Sequence, residues 1–430
     1  NATLTDSNAS STVTNLALNG TSISNSVGSL FSSTNVNAMR SLLGFTGPTT
    51  HVRAGVDIIS TGDLTIGNDI NLQALRFAGE AGVLTIRAAG DLNINGTLSD
   101  GFIVNGSNTA VSRDAKLATS GQSWSYRLVA GADAAAAAPL MTNAAAGTGN
   151  LTQNTNKLVR TGTGSIDLAA SKDIRLLDRA AVFTAGVAAS TQPTGFTPIA
   201  VGGTALTGIA SIFPNGGGNL TLTAGERIVM IKTGTTPEDE TNPDQRHINQ
   251  WLFRNGNANR NLQWWPRIAS FQQGVAAFGG GDITLAAGTE IKNFTAVIPT
   301  NGRVPKIDLV SQPDLAVVQG GGDLTVRAGG TVTGGQFYSE TGHLRIKADA
   351  LASNVGIALG NTSAQVVVAG DVALGNVFNP MWVTADNFVV NVANSDPTRS
   401  GNSEYSNAAR FGTYGSASSL DLVSVRGKID

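Results

Sequence analysis

Gly321-Gly322-Asp323-Leu324-Thr325-Val326-Arg327-Ala328-Gly329-Gly330 opens the stretch whose reading decides the fold, and that stretch runs on to Ile346. Leu324 and Val326 face one way from a strand and Thr325 faces the other. Ala328-Gly329-Gly330 supplies small residues that accept positive φ, so the chain turns there. A second apolar strand starts at Val332, eight residues after Leu324. The unit returns at Gly342-His343-Leu344-Arg345-Ile346, 20 residues after its start.

Outward from this stretch the same unit recurs. Leu64-Thr65-Ile66, Leu84-Thr85-Ile86, Ile166-Asp167-Leu168, Leu220-Thr221-Leu222 and Ile283-Thr284-Leu285 match it. Each has an apolar residue eight positions on, at Leu72, Leu92, Ile174, Ile228 and Ile291. From Leu64 to Leu344 the successive spacings are 20, 82, 54, 63, 41 and 20, most of them near multiples of 20; an insertion or deletion falls in the 54. A repeat this short cannot bury its own apolar face and must stack on its neighbours. An eight-residue step leaves no room for a crossover helix. The pattern therefore predicts an all-β chain folded as a β-solenoid, specifically a right-handed parallel β-helix with loop insertions. Each coil should rise by about 4.8 Å. Leu64, Leu84, Leu220, Leu324 and Leu344 are expected to point into one continuous core.

Residues 1–53 read as an Asn-, Ser- and Thr-rich lead-in of irregular coils, and residues 54–430 as the shaft. Insertions are expected at about 105–155, 186–218 and 232–279. The first of these contains one strand and turn, Ser123 to Asp133. The third holds Glu238-Asp239-Glu240 and three of the five tryptophans, with helical potential between Asp244 and Phe253. The repeat is cleanest from 280 to 375 and continues through Asn387–Val392 and Leu420–Val423. Residues 1–30 lack the basic and apolar regions of a signal peptide, and Val425 to Asp430 offer no capping coil. The second makes the chain read as a fragment of a longer solenoid; the first fits an internal start or a processed N terminus alike.

Composition narrows the function classes. Glycine supplies 52 of the 430 residues and charged residues only 13%, which suits many turns and few charged faces. A net charge of −2 gives no electrostatic footprint for nucleic acid or an anionic membrane. The absence of cysteine excludes disulfides and thiolate metal sites, and it suits a chain exported unfolded. No apolar run reaches the roughly 20 residues of a membrane-spanning helix.

The Gly-Gly-Asp-Leu-Thr-Val-Arg-Ala-Gly type of repeat, Ser-Asp-Gly-Phe at 99–102, Ser-Trp-Ser-Tyr-Arg-Leu-Val-Ala-Gly-Ala-Asp at 123–133 and Gly-Gly-Gln-Phe-Tyr at 334–338 resemble the filamentous haemagglutinin family. These are large exoproteins of Gram-negative two-partner secretion. The resemblance covers roughly residues 54–430. It implies a β-helical shaft secreted across the outer membrane by a partner transporter and used at the bacterial cell surface. The implied role is adhesive: attachment to host-cell or bacterial surface glycans or proteins, or self-association into filaments and biofilm. The family's secretion domain, near the precursor N terminus, has no motif in this segment, so the transporter would be recognised elsewhere.

Candidate chemistry is sparse. His51, His247 and His343 lie far apart in sequence and none has a metal-ligand partner at helical or hairpin spacing. Asp282 and Asp323 follow glycine triplets, but calcium-binding nonapeptides need Gly-Gly-x-Gly-x-Asp in tandem. An aspartate bonded to its own turn backbone is the simpler expectation. No nucleophile elbow or phosphate-cradling loop is present. No catalytic residue, metal or cofactor is assigned, and the chain is expected not to be an enzyme. The alternative is a polysaccharide-binding or polysaccharide-degrading β-helix with its site in the 232–279 insertion, where Glu238, Asp239, Glu240 and Asp244 form the densest carboxylate group. Trp251, Phe253, Trp264 and Trp265 form the candidate binding patch. The reading preferred for the same aromatics is a satellite core that packs the insertion onto the shaft.

Overall fold

The computed structural model describes residues 2–5, 33–44, 53–143, 148–189, 200–201, 204–205, 212–231, 248–257, 260–307, 310–380 and 414–430. Its strands stack in parallel along one axis, and 25 of them form one continuous hydrogen-bonded network. The chain is a parallel β-helix whose coils each contribute a short strand to three faces.

Sheet A holds Gly55–Ser60, Val83–Ala88, Ser125–Ala130, Ile166–Ala170, Leu220–Ala224, Ile283–Ala287 and Leu324–Ala328. It continues through Gln336–Ala348 and Ala350–Val368 to Ser419–Ser424. Ala2–Thr5 adds a strand at the other end. Sheet B starts eight residues further on in most coils, at Leu64, Leu92, Ile174, Ile228, Ile291 and Val332. Sheet C is built from Leu98–Ser99, Leu158–Thr161, Ala181–Thr184, Gly274–Ala277, Thr295–Ile298 and the segments around Phe337 and Ile357. The inward column of sheet A runs Val56, Leu84, Tyr126, Ile166, Leu220, Ile283, Leu324 and Leu344, all buried.

Leu64 points into the same core as Leu84, Leu220, Leu324 and Leu344, as expected, but stands on another face of the coil. It pairs with Leu92 on sheet B, and Val56 takes the place beside Leu84. The reason is local: Gly62-Asp63-Leu64 repeats the same corner as Gly322-Asp323-Leu324, and that corner can open a strand on either sheet. The coil lengths change accordingly. The bare coil of 20 residues occurs from Leu324 to Leu344 and from Leu344 to Ala364. Val56 to Leu84 takes 28 residues and Leu84 to Tyr126 takes 42, while Leu220 to Ile283 is one coil of 63. Longer spacings thus reflect loops let into single coils, not several bare coils.

Glycines before sheet A have a steric cause. Gly281 has φ +109°, and a Cβ there would lie 2.4 Å from the Gly218 carbonyl oxygen of the coil beneath. Asp282 and Asp323, which follow such glycines, do not close their own turns. Asp282 Oδ1 accepts the Asp323 backbone N–H at 2.8 Å, and Asp323 Oδ1 accepts the His343 backbone N–H at 2.9 Å. The ladder extends backward through Asn219 Oδ1 to Asp282 N, Ser165 Oγ to Asn219 N and Ser125 Oγ to Ser165 N. Each side chain thus satisfies a backbone donor in the next coil, where a corner breaks the strand ladder.

Sheet C differs from sheet A in being buried on both faces: Leu158–Thr161, Ala181–Thr184, Gly274–Ala277 and Thr295–Ile298 are buried at every position. A second apolar core covers its outer side. The insertions supply that cover.

Candidate functional site

Four of the insertions meet beside sheet C in their described residues, while the loop at 131–143 lies over sheet A. Residues 100–124, 185–219 and 299–323 leave at the corner from sheet C to sheet A, and residues 231–273 enter sheet C from sheet B. They fasten to one another. The Ala188 N–H donates to the Ala118 carbonyl at 2.8 Å, and Asn301 Nδ2 donates to the Pro214 carbonyl at 2.7 Å. Arg113 Nη1 donates to the Phe271 carbonyl at 2.8 Å. Two insertions also share an antiparallel outer sheet, in the order Leu252–Asn257, Arg260–Pro266, Thr300–Val304, Val317–Gly320.

The aromatic candidates sit in this layer. Trp251, at the end of the short helix Ile248–Trp251, is 1% exposed. Its ring meets Phe271 and Phe278 edge-on at centroid distances of 5.8 and 5.7 Å and lies 6.3 Å from Tyr338 on sheet C. Trp265 is equally buried, 6.0 Å from Phe213 of the neighbouring insertion. Trp264 is partly buried and donates from Nε1 to Thr300 Oγ1 at 3.1 Å. Its indole lies over Gly302, where a Cβ would come within 2.4 Å of the ring. Phe253 pairs through its backbone with Trp265. Trp251 therefore spends its face on packing the insertion against sheet C, and Trp265 on packing it against the neighbouring insertion, so no aromatic platform opens from these two to solvent. Glu238, Asp239, Glu240, Asp244, His51, His247 and the 387–392 strand lie outside the described residues.

Two arginines missed in the sequence, Arg160 fully buried and Arg113 partly buried, hold the same layer. Arg160 stands on sheet C, where the chain would otherwise run apolar. Its guanidinium lies 4.0 Å over the Phe102 ring and donates to Ser99 Oγ and to the carbonyls of Ala110 and Ser112. Burial, and then the charge of Arg113, pull its pKa down to about 9. Arg113 reaches from the 100–124 insertion to the carbonyls of Arg179 and Phe271. Burial and the neighbouring Arg179 bring it to about 10. These guanidinia fasten loop carbonyls to the shaft. The one signal in the sequence was a lone charge within Leu158-Val159-Arg160-Thr161.

The strings at 99–102 and 123–133 meet in space. Asp100 is fully buried and accepts the Trp124 backbone N–H at 2.6 Å and the Gly101 N–H at 2.8 Å. Arg76 of the preceding connection pairs with the same carboxylate at 3.1 Å. Trp124 Nε1 donates to the Leu75 carbonyl at 2.8 Å, and its ring packs edge-on against Phe77. Three successive passages of the chain are thus pinned at one corner.

His343 is half exposed, with Nδ1 3.1 Å from Asp323 Oδ1, and Arg345 pairs with Asp323 Oδ2 at 3.2 Å. Among the described residues, no three His, Cys, Asp or Glu side chains gather as a group that could hold a metal ion. The chain matches no family model, no curated protein and no solved structure.

Proposed function

We propose that this chain is a stretch of the extracellular shaft of a large secreted bacterial surface protein of the filamentous haemagglutinin type, structural and adhesive, with no chemistry of its own. The observation that carries this reading is the interlocked ridge of insertions raised beside sheet C on a continuous coil stack. A stack of this kind sets length and stiffness, and loops raised from it are where a repeat protein makes its contacts. The strings at 99–102, 123–133 and 334–338 that resemble the family support the same reading. On it, an outer-membrane transporter exports the precursor through a region other than this one, and the ridge meets glycans or proteins on a host or bacterial surface.

Beads coated with the purified chain should attach to cultured epithelial cells or to bacteria well above albumin-coated beads, and free chain should compete. Attachment no better than albumin would overturn the adhesive role. Incubation with a panel of acidic polysaccharides should release no new reducing or unsaturated ends. Turnover abolished in Glu238→Gln or Asp239→Asn would instead favour a polysaccharide-degrading β-helix with its site in the 232–279 insertion.

A further inference from the structure

We propose that the outer face of sheet A carries a binding cleft for a small monoanionic carboxylate with a carbon face and hydroxyls, the chemistry of a uronic acid. The cleft has a volume of about 350 Å³ and is lined by Arg53, Asp57, Thr85, Arg87, Arg127 and Pro139, among others. It lies on the strands Gly55–Ser60, Val83–Ala88 and Ser125–Ala130, under the loop at 131–143. That volume is at the lower end of ordinary small-molecule sites.

The arginines hold different positions in it. Arg87 is buried and committed: it pairs bidentately with Asp57 at 3.2 and 2.7 Å, and its Nη1 reaches the Ala136 carbonyl of the loop at 3.4 Å. This pair makes a rigid, neutral floor. Arg53 is oriented at the rim by a hydrogen bond to Gln122 Oε1. Arg127 is different. Its nearest acid, Asp167, is 3.9 Å away, beyond hydrogen-bond reach, and among the described residues no hydrogen bond engages its guanidinium. A strand in the middle of the sheet therefore presents a planar fork of donors that is loosely ion-paired to Asp167 and not hydrogen-bonded among the described residues. Such a fork matches a carboxylate bidentately.

Charge and shape select the ligand. Arg53, Arg87 and Arg127 bring three positive charges, and Asp57 with Asp167 bring two negative, which leaves one for a monoanion. A dianionic phosphate would be over-charged there. Pro139 and Ala137 give an apolar wall for a carbon face, and Thr85 gives a hydroxyl. The site lies on a different face from the insertion ridge, so its failure would leave the adhesive reading standing.

Titration calorimetry of the whole chain with D-galacturonate, D-galactose and inorganic phosphate at low salt tests it. Saturable binding of one galacturonate is expected, with no galactose binding and weaker phosphate binding. Arg127→Gln should weaken galacturonate at least tenfold, and Asp167→Asn, which frees the fork of its competing acid, should tighten it several-fold. No saturable galacturonate binding would overturn the cleft, as would equal binding of galactose. Phosphate binding as tight as galacturonate would overturn the carboxylate assignment. Should Arg127→Gln fail to fold, Asp167→Asn decides: unchanged affinity there removes Arg127 from the site.

Discussion

Asp173 shows how single side chains hold successive coils in step. It is fully buried just before sheet B and takes Arg175 of its own coil and Arg227 of the next at 2.8 Å each. Burial alone would raise its pKa; the hydrogen bonds and charges of Arg227 and Arg175 outweigh burial and hold it below its ordinary 3.8. A carboxylate depressed in the folded state stabilises the fold fully above its unfolded pKa and loses that contribution as pH falls through the folded value. The stabilisation should therefore be complete above about pH 4 to 5 and fade below. Asp173→Asn is expected to lower stability at neutral pH by about 2 kcal/mol, the range of charge-assisted hydrogen bonds. The variant and parent should converge near pH 2. Urea denaturation at several pH values checks this, and a constant difference between the two across pH 2 to 7 would refute it.

At the scale of the element, Leu324 marks what one coil needs. It is fully buried, between Ile283 below and Leu344 above. Leu324→Asp should cost on the order of 3–5 kcal/mol by burying an unpaired charge. Hydrogen exchange should locate the loss to the coils around 283–348, and a soluble variant with unchanged thermal unfolding would contradict the stacked core. This element was legible because sheet A alternates: Leu324 and Val326 face in while Thr325 does not. Its step of eight to Val332 was legible for the same reason. The Gly-Asp corner shared by two sheets misplaced Leu64. Sheet C was not legible, because strands buried on both faces show no alternation, as Ala181–Thr184 illustrates. The outer sheet was equally hidden. Its pairing of Trp264 with Gly302 joins residues from different coils, and no local pattern announces such a partner. The candidate aromatics were legible as a cluster. Which way they faced depended on whether sheet C offered an apolar outer side, and Tyr338 and Ala276 provide it.

For the whole molecule, the two-sided character of sheet C divides the shaft into unlike parts. Coils from Leu324 onward to Ala364 carry no insertion of their own, and their three ladders do most of the holding. The coils starting at Leu220 and Ile283 are tied together by the outer sheet, and Trp251 ties them to Tyr338 in the next coil. This unevenness acquires meaning under tension. A shaft pulled from a handle fixed at Ala364, clear of the 56-residue step from Ala364 to Leu420, would peel, since each bare coil must rupture only its own ladders before the load passes to the next. Each 20-residue coil should release about 65–70 Å of contour. The peeling front would then meet the tied coils, where the shared strands couple separate turns into one mechanical unit. There the force should rise and the next release should be several times longer. Single-molecule pulling would record short, even steps followed by one high, long event, and uniform steps throughout would show that the ties carry no load. A tether built this way lengthens gradually at first and then holds, which makes the ridge a brake as well as a surface.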